Sequence, residues 1–213
     1  MLKVGLTGGI ASGKSTVAWW LVEKGAIHID FDALAHFVEE PDQPAWKAIV
    51  ASFGRGILND DRTISREKLG AIVFQDREKL KLLNGLVHPA VYAEWHCRLE
   101  EIGRQKPEAI VLAGVPLLFE ENLQSLFDLV VLVYIPPEEQ LRRLVARNGY
   151  GEEEARRRLA AQMPIADKIP LADLVVNNGG REDETRELVD RLWQDLLERE
   201  EHKRMKQEVI KQL

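Results

Sequence analysis

The chain has 213 residues, a hydrophobic share of 45%, a charged share of 30% and a net charge of −6. This length and balance describe a globular protein of one sizeable domain with insertions, or two small ones, and the acidic surplus argues against a general nucleic-acid or anionic-membrane surface. The single cysteine, Cys97, excludes an intrachain disulfide, fits a reducing compartment and reads as a small buried apolar residue.

Residues 2–6 read as a buried strand, and Gly8-Gly9-Ile10-Ala11-Ser12-Gly13-Lys14-Ser15 follows at once as a G-x-x-x-x-G-K-S stretch. Residues 16–24 then place Val17, Trp20 and Leu21 at helical spacing, with Trp19 and Trp20 read as packing residues. Strand, glycine-rich loop and helix together make a phosphate cradle. Glycines let successive N–H groups curl round an anion, and the helix start adds the positive end of its dipole. Lys14 would then reach the β- and γ-phosphates and the Ser15 hydroxyl would ligate Mg²⁺. Gly8, Gly9, Ile10, Ala11, Ser12, Gly13, Lys14, Ser15 and Thr16 are the expected nucleotide contacts.

Gly25 is a helix stop, and residues 26–30 form a short strand ending in Asp30-Phe31-Asp32. Asp30 and Asp32 stand two apart, so in extended backbone both carboxylates face one side. One would accept a proton or hold Mg²⁺ through water, and the competing reading of Asp32 is an N-cap for a helix starting at Ala33. Residues 33–104 carry helical punctuation and no convincing strand. Residues 46–53 are apolar at helical spacing, Ser65 with Lys68 opens another helix, and a longer helix is expected to start near Pro89. His88, just before it, would be an orienting residue at that helix start or a packing histidine.

Residues 109–113 and 129–134 return as continuous apolar runs, the pattern of strands covered on both faces of a parallel sheet. Residues 174–176 make the last strand, and residues 183–199 a closing helix with Leu188, Leu192, Trp193 and Leu196 inward. This order predicts an α/β fold with helices on both faces of a parallel sheet, and one cleft at the strands' carboxyl ends. Arg143 and Arg147, one helical turn apart, would project together towards phosphates as part of a mobile flap, whereas Arg156 and Arg157 pair with preceding glutamates on a solvated face. His28, His96 and His202 suggest no zinc site. No signal-peptide pattern opens the chain and no apolar run is long enough to span a bilayer, so a cytoplasmic location and no membrane partner are expected.

Guanine-reading and motor motifs are both missing, which sets a small-molecule kinase ahead of a nucleotide-binding switch protein. The motifs then resemble the dephospho-CoA kinase family. The resemblance rests on the loop itself, Ile29-Asp30-Phe31-Asp32, Asn84 to Pro89, Val115 to Glu120, Gln140 to Arg147, Gln162-Met163-Pro164 with Lys168, and Ala172-Asp173 leading to Asn178. It implies a P-loop three-layer sandwich with a five-stranded parallel sheet, made of core segments 1–31, 105–138 and 170–213, a helical CoA-binding insertion 32–104 and a small helical lid 139–169. It further implies ATP and dephospho-CoA as substrates, Mg²⁺ as cofactor, Asp32 as base, Lys14, Arg143 and Arg147 on the transferring phosphoryl group, and Asn178 on the adenine side. Asp30, His36, His88 and Glu120 fall to the acceptor by the same analogy. A kinase of another alcohol, of shikimate, gluconate or nucleoside type, is the alternative. Three positions depart from the pattern: Ala11 replaces a usual glycine and requires φ below zero there, His36 stands for a frequent arginine, and Asn177 for a frequent aspartate.

Overall fold

The computed structural model describes residues 1–211 and divides the chain into two units, Met1–Asp30 with Lys106–Leu213 and Phe31–Gln105. The first holds a five-stranded, wholly parallel sheet in the order β2-β3-β1-β4-β5. Its strands are β1 (Leu2–Gly8), β2 (Ile27–Asp30), β3 (Ile110–Gly114), β4 (Leu129–Tyr134) and β5 (Leu174–Asn177). The expected α/β architecture and all five expected strands are present, each within a residue or two of the segment read from the sequence. Strands β3 and β4 flank β1 on either side, so the carboxyl end of β1 lies where the strand order switches.

The period of two along β1 divides its residues between the faces. Leu2, Val4 and Leu6 join Val17, Trp20 and Leu21 of α1 (Lys14–Glu23) and Val189, Leu192 and Leu196 of α8 (Glu182–Lys211) in one core. On the other face Gly5 leaves room for Leu118 and Phe127, whose carbons stand 2.8 Å from where its Cβ would be. Between β4 and β5 run α6 (Pro137–Asn148) and α7 (Glu152–Ala160). The glutamates and arginines of α7 pair as its sequence predicts, Arg156 with Glu152 and Arg158 with Glu154 four residues back, but Arg157 takes Glu154 three residues back rather than Glu153.

The second unit is helical: α2 (Phe31–Val38), α3 (Pro44–Phe53), α4 (Arg66–Val73) and α5 (Arg77–Gln105). Phe31 and Trp95 meet with ring centroids 5.3 Å apart, among buried Leu34, Ile49, Val87 and Val91. Ser65 caps α4 by accepting from the Lys68 N–H, as expected. The long helix starts at Arg77, not near Pro89, and carries Pro89 inside it. Pro89 and Gly85, whose carbonyl loses its helical partner, are both exposed, so water can take that bond. His88 is therefore mid-helix, 6.1 Å from the Tyr92 ring, and orients no helix start. Cys97 is exposed rather than buried, and Trp19 is 54% exposed while Trp20 packs in the core.

Candidate active site

The loop that follows β1 is built by its own backbone. Ser12 N–H donates to the Gly9 carbonyl at 3.1 Å, and the Gly13 carbonyl accepts from Thr16 and Val17 at 3.0 and 3.2 Å, starting α1. Gly13 sits at the helix N-cap with φ 86°, a conformation natural to glycine, and no side chain caps the helix or places an acid in its first turn. A helix start with its N–H groups facing a loop of this kind favours a negative charge. Lys14 opens α1, and its ammonium lies 3.3 Å from where a Cβ on Gly114 would stand, at the carboxyl end of neighbouring β3.

Ala11 has φ 61°, which overturns the requirement that it lie below zero. A left-handed alanine costs about 1–2 kcal/mol, so contacts elsewhere must hold it. The residue before it, Ile10, is bonded from α6 and from the stretch after α7. Gln140 Nε2 donates to the Ile10 carbonyl at 2.8 Å, Ile10 N–H donates to Gln162 Oε1 at 3.0 Å, and a Cβ on Gly9 would run into the Gln140 amide. Asn178, just past β5, donates from Nδ2 to the Ser12 carbonyl at 2.8 Å and lies against Gly13. It thus braces the phosphate loop, a contact that the expected adenine-side placement did not foresee. Asn177 turns its Oδ1 to the Gly179 N–H at 2.9 Å.

The two arginines do not converge. Arg143 bonds Glu139 through Nε at 2.6 Å and the Asn178 carbonyl through Nη2 at 2.9 Å, whereas Arg147 turns to Asn148 at 2.8 Å on the surface. Arg142 first and Arg143 second hold the Glu139 carboxyl down to about 2 by hydrogen bonding. Glu120, in the turn after β3, accepts from Met163 N–H at 3.1 Å and lies 2.8 Å from the wholly buried Lys168 ammonium. That approach falls outside hydrogen-bond angles, so the contact is ionic, and Glu120 Oε2 is buried without a hydrogen-bond partner among the described residues. Lys168→Met should therefore strand a carboxylate and lower stability by about 2 kcal/mol, below the 3–5 kcal/mol of a fully buried pair because Glu120 keeps some exposure. Urea unfolding would read this directly.

His28, which sequence reasoning set aside, lies within reach of this end of the sheet: its Nε2 is 2.9 Å from where a Cβ on Gly114 would be. Loss of hydration pushes its imidazole below 6.5, with the Asp30 carboxylate opposing and the Lys14 ammonium assisting. The unfolded chain then binds the extra proton, so this contribution to stability is whole above pH 6.5 and is lost as pH falls through the lowered value. Replacing His28 by Gln should make unfolding free energy fall less steeply between pH 7 and 5, measured against the parent chain in urea. In the helical unit Asp32 lies in the first turn of α2, which starts at Phe31; it is neither an N-cap nor, since β2 ends at Asp30, the next same-side residue of a strand. His36 occupies the last turn of α2.

The sequence model described as Dephospho-CoA kinase matches residues 2–184 of this chain. This chain belongs to the dephospho-CoA kinase family. The match takes in the phosphate loop, Asp32, Glu120, both glutamines and Asn178. A dephospho-CoA kinase of Syntrophus aciditrophicus is 54% identical over 200 residues, covering 94% of this chain and 85% of its own. One from Geobacillus kaustophilus is 50% identical over 185 residues, 87% of this chain and 92% of its own. Among solved structures, the dephospho-CoA kinase from Campylobacter jejuni superposes with a TM-score of 0.71 at 26% identity, covering 92% of this chain and 97% of that one. Sequence reasoning had used Gln140 and Gln162 only as marks of family. Gln140 stands in α6 and Gln162 in the bend after α7, 22 positions apart, and nothing in that spacing shows that both reach one residue, Ile10.

Proposed function

We propose that this chain transfers the γ-phosphoryl group of ATP to the ribose 3′-hydroxyl of dephospho-CoA, giving CoA and ADP. The observation that carries the reading is the family match over residues 2–184, which includes an intact Lys14, Ser15 and Asp32. ATP phosphates sit on the loop Gly8 to Thr16, where backbone N–H groups and the start of α1 favour an anion. Asp32 accepts the 3′-hydroxyl proton as that oxygen forms its bond to the γ-phosphorus and the bond to the bridging β,γ-oxygen breaks; ADP carries away the electron pair. Lys14 balances the charge on the transferring group, and Arg143 and Arg147 of the proposed lid, residues 139–169, join it once nucleotide is bound.

The Ser15 hydroxyl, exposed in the first turn of α1, is a hard oxygen donor of the kind Mg²⁺ takes. No group of three or more His, Cys, Asp or Glu side chains is gathered to hold a metal among the described residues, which suits an ion carried largely by nucleotide phosphates. Bound there with Asp32 through water, it would supply charge neutralisation on the β- and γ-oxygens. Asp30, His36, His88 and Glu120 belong to the acceptor side, and residues 32–104 to CoA binding. No helix among the described residues is long and apolar enough to cross a membrane, and a cytoplasmic location is part of this proposal. The test is to mix purified protein with ATP, Mg²⁺ and dephospho-CoA and look for a product heavier by one phosphoryl group. No such product, with turnover of shikimate, gluconate or a nucleoside instead, would replace the reading with another alcohol kinase.

A further inference from the structure

We propose that Gln140 and Gln162 are positioning residues for nucleotide binding, which hold the phosphate loop in shape by gripping Ile10 from both sides. The inference rests on reading Gly8 to Ser15 as an ATP site. Gln162 accepts from the N–H of the peptide before Ile10, and Gln140 donates to the carbonyl of the peptide after it. The two planes that meet at Ile10 are thereby both fixed, and the second of them leads into Ala11. An alanine at φ 61° is disfavoured by about five- to thirtyfold against a right-handed one. Without the grip, the Ile10–Ala11 peptide would turn to relieve Ala11 and carry the N–H groups that follow it away from the phosphates.

The grip has a fixed footing. Gln140 is 6% exposed and packs where Gly9 has no side chain. Gln162 is followed by Met163, whose N–H donates to Glu120, by the buried Ile165, and by Lys168 in its ion pair with Glu120. The stretch 162–168 is thus tied to the turn after β3, and it meets the loop through Gln162 at Ile10 and through Ile165 beside Gly9. Two glutamine amides, one buried and one half-buried, converge on a single residue, and for Gln140 core packing is no explanation, since an apolar side chain would serve it at lower cost.

The test compares Gln140→Met and Gln162→Met, each made in the parent chain and in an Ala11→Gly background. Methionine keeps the volume and removes the amide. ATP with magnesium is titrated by calorimetry, a readout that does not depend on the acceptor. In the parent chain each substitution should raise the Kd for ATP by about tenfold, the population cost of a left-handed alanine left unsupported. In the Ala11→Gly background the rise should shrink to about threefold or less, because glycine adopts this backbone freely. A loss of fold or packing would weaken binding equally in both backgrounds, so an equal rise overturns the proposal, as does a rise below about twofold in the parent. A parent chain that binds no ATP overturns the nucleotide reading and the grip with it.

Discussion

Replacing Asp32 by asparagine is expected to lower turnover of dephospho-CoA by about 10²–10⁴-fold, the usual loss when a positioned proton acceptor is removed, and to leave ATP affinity within about threefold of the parent. Asparagine keeps the size and one acceptor oxygen of the carboxylate but cannot take up the hydroxyl proton. The substitution is gentle on the fold: α2 is seated by the buried Phe31 and Leu34 on either side, while Asp32 itself is exposed. Steady-state rates with both substrates saturating, set beside a calorimetric ATP titration, separate the two effects. Asp30→Asn is the matched control. If it abolished turnover while Asp32→Asn stayed active, the base would be Asp30, which ends β2 in register with Gly114.

The second large effect is expected at Gly13. Gly13→Ala should weaken ATP binding by about 10²–10³-fold, comparable to losing a set of preorganised donors, and lower stability by about 1–3 kcal/mol. Two costs coincide there. The residue has φ 86°, which an alanine adopts only under strain, and the new methyl would run into the Asn178 amide. Asn178 must then release the Ser12 carbonyl, so the loop loses its shape and its brace together. A thermal midpoint lower by about 2–10 °C should accompany the lost ATP titration. Gly149→Ala makes a fair comparison: it shares a positive φ, 67°, but has open space around it, so it should cost stability and spare binding.

What could be read from the residues depended on how local its physics is. The strands were legible because continuous apolar runs such as Leu129–Tyr134 have few other uses. The phosphate loop was legible because glycine spacing and one lysine encode it within eight residues. Pro89 misled because proline usually marks a helix start, and only the shared exposure of Pro89 and Gly85 makes it tolerable inside α5. Ala11 misled for the opposite reason: its conformation is imposed by Gln140 and Gln162, more than 120 positions away, and no local rule contains that. Asp30-Phe31-Asp32 shows the same limit at short range, since alternation was assumed to run on past Asp30, where a helix begins instead. Arg143 was legible as functional company for the loop, but its bond to the Asn178 backbone was not.

The bond from Asn178 to Ser12 spans 166 positions of chain. During synthesis the first strand and its loop leave the ribosome early, then wait while the contiguous helical unit, 31–105, is made with its contacts close at hand. Gln140 and Gln162 arrive well after the loop, Asn178 later still, and α8, which supplies Val189, Leu192 and Leu196 to the same core as β1, follows it. A nascent chain therefore carries a complete phosphate-loop sequence long before it carries the residues that bond to that loop and brace it.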